Sequence, residues 1–264
     1  MQTAIETSAP AATSRCVPRW WWLAAFLVVA IAGYSLRYVF LGERAYVPEL
    51  ATSFRTRPLT LLAHTLFGPI ALVLGLVNLL PAKRKSPRWA AHRWMGRVYL
   101  ISALALGSAG LSLAFHAAGG PGARAGFLLL AVGTLGTAGQ AYRAIKRRNV
   151  RQHREWMLRS YALVFAAVML RIWMPILIIA HQGQFLPAYR WVAWLSWVPN
   201  ALFAEWIIRR GWRPAYVLPD SFDSPVSFRA EPRSGAGARK QRADEESHSS
   251  RPGDALGQAK CRSI

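Results

Sequence analysis

Five of the six histidines of this chain lie in or beside long apolar segments, and Arg171 sits well inside one. Ionisable groups are costly in hydrocarbon, so they face a bundle interior, pair with one another or hold a ligand. His64 heads a stripe of His64, Gly68, Ala71, Gly75 and Asn78, spaced four, three, four and three. That spacing places all five on one helical face. Small residues there let a second helix, or a flat cofactor, approach closely; packing is the simpler reading. Arg171 has no acidic residue in its own half of the apolar segments, because Glu205 stands near the opposite end of the last one. Four readings are open for it: snorkelling, bonding to carbonyls, meeting Asn200, or holding an anion such as a lipid phosphate, a haem propionate or a substrate. His116 and His181 end two segments on the same side at matched depth. The expectation is that His64 and Arg171 line one cavity, with His116 or His181 at its mouth.

Other chemistry is excluded more firmly. Cys16 and Cys261 both stand in the flanking tails, so no cysteine metal site or disulfide framework is indicated. No Cys-x-x-Cys-His occurs, which rules out covalent c-type haem. The membrane domain has no Ser/His/Asp constellation, no paired carboxylates and no phosphate-binding glycine loop. Catalytic residues therefore stay unassigned, no metal site is expected, and the balance is against an enzyme. The histidines keep a b-type haem or quinone site open, since imidazole is a common axial ligand. Depth argues against it: His64 lies roughly 7 Å deeper than His116 or His181, and His92 and His116 are about 36 Å apart along one helix. A small-molecule transporter is the alternative, and a membrane component without ligand is the third reading.

The elements that must position these groups follow from hydropathy and charge. The chain has 264 residues, 53% of them hydrophobic, with 33 Lys+Arg against 12 Asp+Glu. Six segments approach the ~20 apolar residues needed to cross a bilayer: 20–40, 59–80, 98–117, 125–145, 160–180 and 191–208. The basic residues fall between them, which marks topology beside an anionic inner leaflet rather than nucleic-acid binding. The loop at 81–97 carries Lys83, Arg84, Lys85, Arg88, Arg93 and Arg97 with no acid, and the loop at 143–159 carries seven basic residues against Glu155. The other three loops hold only Arg44, Arg55, Arg57, Arg124 and Arg190. The positive-inside rule then predicts an all-α, six-span bundle with both termini in the cytoplasm. Residues 1–18 and 214–264 have the polar composition of disordered tails, flanking a membrane domain at 19–213.

Two stretches repeat. His92-Arg93-Trp94-Met95-Gly96-Arg97-Val98-Tyr99 matches His153-Arg154-Glu155-Trp156-Met157-Leu158-Arg159-Ser160-Tyr161 with one residue inserted. Each opens a segment, so spans two and three read as one hairpin and spans four and five as a parallel second copy. Interfacial anchoring accounts for the Arg and Trp, and repeats of this kind also occur in transporters. This order of motifs, with His64 before them and Arg171 after, resembles the bacterial predicted-membrane-protein family called domain of unknown function 2306, over roughly residues 60–180. The resemblance implies the inner membrane of a bacterium and brings no activity with it.

Overall fold

The computed structural model describes residues 19–46, 48–80 and 87–211. The tails expected to be disordered, and Lys83, Arg84 and Lys85, lie outside these residues. All regular structure among them is helical: α1 Arg19–Ser35, α2 Arg37–Leu41, α3 Pro48–Arg55, α4 Pro58–Asn78, α5 Pro87–Ala114, α6 Pro121–Lys146, α7 Val150–Val164, α8 Ala166–Ala180, α9 Phe185–Leu195 and α10 Val198–Arg209. Proline opens α4, α5 and α6, where its missing N–H costs nothing and its fixed φ suits a helix start. Asn149 caps α7 by accepting from the Gln152 amide at 3.0 Å. The repeated motifs begin one to two turns inside α5 and α7, so both helices begin well before their apolar stretches.

Five helices, rather than the six segments expected, are long and apolar enough to cross a bilayer unaided: Trp21–Ala45, Pro58–Asn78, Trp89–Ala114, Pro121–Lys146 and Val150–Ala180. The expected sixth segment is α9 and α10, of 11 and 12 residues. Each covers about 16–18 Å, roughly half the hydrocarbon thickness. The interruption has a local cause. Pro199 cannot donate to the helical ladder and its ring clashes with the preceding turn, and Trp197 leaves helical geometry at φ −129°. Side chains then take the carbonyls at the break: Trp197 Nε1 donates to Ala193 O and Asn200 Nδ2 to Ser196 O, both at 2.9 Å.

Successive helices pack side by side from α4 to α7, with α1 on α4, α4 also on α7, α9 on both α6 and α8, and α10 on α7. The core joins Val28, Ala71, Leu72, Leu76, Tyr99, Ala103, Ala138, Tyr161, Val164 and Val168. Alanine dominates the other buried positions, which lets helices approach closely where no hydrophobic force separates them from lipid. Gly126 marks one such approach: a Cβ there would lie 2.8 Å from Ala193 O of α9. The periphery is apolar, with Phe26 69% exposed, Ile101 63%, Ile179 79% and Leu202 66%. A belt of this kind is what acyl chains cover.

Candidate functional site

Two ends of the bundle are distinguished by charge. The basic end holds the starts of α5 and α7; the opposite end holds the starts of α4 and α6 and the ends of α5 and α8. Toward the opposite end, Arg171 of α8 donates to Ala167 O of its own helix and to Ser35 Oγ of α1, both at 2.8 Å. It does not meet Asn200, which turns back onto its own helix. The guanidinium is within electrostatic reach of Tyr34, Tyr38 and a second arginine, Arg37. Arg37 stacks over the Tyr34 ring at 4.1 Å and donates to Tyr38 Oη at 3.0 Å, while its Nε is shielded from solvent without a partner. Pro175 adds a polar spot, because it cannot donate to the Arg171 carbonyl four residues back. The carboxylates among the described residues lie elsewhere. Glu43, Glu155 and Glu205 pair with Arg55, with Arg151, and with Arg159 and Arg209, respectively, and Glu49 is exposed on α3.

His64 of α4 is close enough to Arg171 for the two to interact electrostatically. Its imidazole lies within electrostatic reach of the Leu106 backbone, and its Nδ1 is buried without a partner. The ring lies against α5: a Cβ at Gly110 would sit 3.8 Å from its Cε1 and Nδ1. The rest of the His64 stripe is also filled. Gly68 faces Leu106, and a Cβ on Gly75 would strike the rings of both Tyr161 and Tyr99, the latter at 2.8 Å. The small-residue face thus serves close packing against α5 and α7, and a flat cofactor has no space along it. His116 is held at the helix end, with Nε2 2.6 Å from Arg57 Nη2 and Nδ1 3.2 Å from Ser112 O. The His181 Nδ1 stands 2.9 Å from Leu177 O. The structure brings His64 and Arg171 near each other; His116 instead ties the end of α5 to Arg57 at the start of α4, and His181 bonds its own helix end.

The repeated motifs converge at and above the basic end. Tyr99 Oη and Ser160 Oγ are 2.8 Å apart, and Tyr161 Oη donates to Leu72 O at 3.2 Å. The two repeat-related tyrosines therefore flank Gly75 of α4. His92 stacks on Trp89 with ring centroids 5.9 Å apart, and His153 Nδ1 is 2.9 Å from Ala141 O of α6. These imidazoles are within electrostatic reach of each other. Arg159 pairs with Glu205 of α10 at 2.9 Å and lies over the Trp156 ring. Arg93, Arg97 and Arg154 are exposed. A cavity of about 220 Å³ lies between α6, α7 and α10, with Thr137, Leu163, Trp197 and Ala201 as walls and the Arg159–Glu205 pair at its rim.

Sequence reasoning missed three of these partners. Arg37 was masked by its place near the end of an apolar run. Ser35 is too common a helix residue to stand out. Glu205 was legible as the acid of the last segment, but nothing in the sequence pointed it at Arg159.

Several long apolar helices with an apolar outer belt define a multi-pass membrane protein. The chain belongs to the predicted membrane protein family DUF2306, whose profile matches residues 61–208. No curated protein and no solved structure gives a significant match. The matched region runs from α4 to α10 and leaves out Ser35 and Arg37.

Proposed function

We propose that this protein is a six-crossing bundle of a plasma membrane, with both termini in the cytoplasm, that binds a carboxylate or phosphate group at Arg171 and Arg37 in the half of the membrane facing away from the cytoplasm. One observation carries the binding site. Two guanidinium groups lie within reach of each other among apolar helices, and the carboxylates among the described residues are exposed or paired elsewhere. Like charges in a medium of low dielectric repel, and an anion between them relieves that repulsion. His64, Tyr34 and Ser35 supply further polar contacts at the same level. The sixth crossing is supported by packing: α9 lies on α8 and α10 on α7, so the pair retraces the α7–α8 column in reverse. The basic loops support the orientation, and the family resemblance supports a bacterial inner membrane.

The test uses the full chain in detergent, titrated calorimetrically with inorganic phosphate and with dodecanoate. At least one should bind. Arg171→Leu and Arg37→Leu should each weaken it by about thirtyfold, the effect of losing about 2 kcal/mol from a buried charge pair. Arg190→Leu, an exposed arginine at the same end, should leave it unchanged. Equal affinity in wild type and Arg171→Leu, or no binding of either probe to wild type, would overturn the proposal.

A further inference from the structure

The strongest unexplained feature is the pair of repeat histidines at the basic end. Helices α5 and α7 are brought together by the Tyr99–Ser160 hydrogen bond at 2.8 Å. Each helix opens at the basic end, so the two run in the same direction. His92 stands seven residues before Tyr99, and His153 seven before Ser160. Seven residues are two helical turns, which keeps the same face and moves about 10 Å along the axis. The two imidazoles therefore stand at matched height, with His92 within electrostatic reach of His153.

Their nitrogens are arranged for ligation. The Nδ1–H of His153 donates to Ala141 O, which fixes the ring and leaves Nε2 with its lone pair. A backbone carbonyl on the outer nitrogen is the usual support of a metal-bound imidazole. His92 is steadied by stacking on Trp89 and makes no hydrogen bond among the described residues. One turn above, Asn78 of α4 faces Gly96, and both polar atoms of its carboxamide are shielded from solvent without a partner.

We propose that His92 and His153 hold one transition-metal centre between their Nε2 atoms, and that the centre is haem iron. Two arguments select haem over a bare ion. The pair offers two imidazoles, the number of axial ligands an iron porphyrin takes. The rim is also cationic: Arg93 and Arg154 adjoin the two histidines and Arg97 follows one turn on. Such a rim repels a bare dication and pairs with two propionates. The histidines of the opposite end, His64, His116 and His181, take no part.

The full chain is expressed under haem-replete conditions, purified, and examined by absorption spectroscopy and elemental analysis. A Soret band near about 410–430 nm with low-spin character is expected of bis-imidazole iron. His92→Ala and His153→Ala should lose it, and His64→Ala and His181→Ala should keep it. His153→Gly should recover the band when imidazole is added, which a merely structural histidine would not do. A stoichiometric bare metal without porphyrin, lost in both variants, would overturn the assignment to haem. Wild-type protein lacking both haem and metal, or a band retained in both His92→Ala and His153→Ala, would overturn the site itself.

Discussion

Single residues in this protein are constrained by what faces them across a helix interface. Gly75 shows this most sharply, because a Cβ there overlaps the rings of Tyr99 and Tyr161, both buried in the core. Neither ring can yield without breaking the Tyr99–Ser160 or Tyr161–Leu72 hydrogen bond. Gly75→Ala should therefore destabilise the protein by about 1–3 kcal/mol, the range for overpacking a well-filled core. A lowered unfolding midpoint in detergent checks it, and an unchanged midpoint would mean that the helices simply move apart. The sequence already shows Tyr99 and Tyr161 as repeat partners and Gly75 as part of a small-residue stripe. It does not show that the tyrosines meet at that glycine, because a helix face specifies which residues share a side but not what stands opposite. The same limit hid the Ser35 partner of Arg171, 136 residues away in the chain.

At the scale of elements, boundaries were legible wherever a strong local signal marks them. The basic stretch between α6 and α7 is of that kind. The break in the last segment was not read, although Pro199 is its local cause, because overall apolarity outweighs a single proline in a hydropathy count. The turn from α6 to α7 carries a cost of its own. Asn149 N donates to Ala144 O and Arg148 N to Ile145 O, each at 3.0 Å, and this closure sets Arg148 in the left-handed region at φ 59°. A side chain in that region is disfavoured by about 1–2 kcal/mol, and glycine is the residue that usually ends a helix in this way. Arg148→Gly should then stabilise the protein by roughly 1 kcal/mol, the gain falling short of the full strain because glycine costs more entropy on folding. Thermal unfolding compared with Arg147→Gly, outside the left-handed position, separates this gain from the loss of one loop charge.

For the whole molecule the open question is the side of the membrane reached by the chain after α10. Charge patterning predicts the cytoplasm, and the count of helices that are long enough unaided would put it outside. The difference rests on whether α9 and α10 together make a crossing. Their 25 residues, Phe185 to Arg209 with the two-residue break, reach about 37 Å if both halves lie along one axis. That exceeds the ~30 Å of hydrocarbon, so length permits it. Polar groups at the break are covered by Trp197 and Asn200, which meets the demand that backbone groups within hydrocarbon be satisfied internally. Arg209 and Arg210 at the far end match the basic loops that the charge rule assigns to the cytoplasm. Reporter fusions after residues 50, 120 and 185 should therefore read outside, and fusions after 88, 150 and 220 inside. The fusion after 220 is the discriminating one. An outside reading there, with the other five unchanged, would mean that α9 and α10 fold back on the outer side, and that the Arg159–Glu205 pair between α7 and α10 does not form in the membrane.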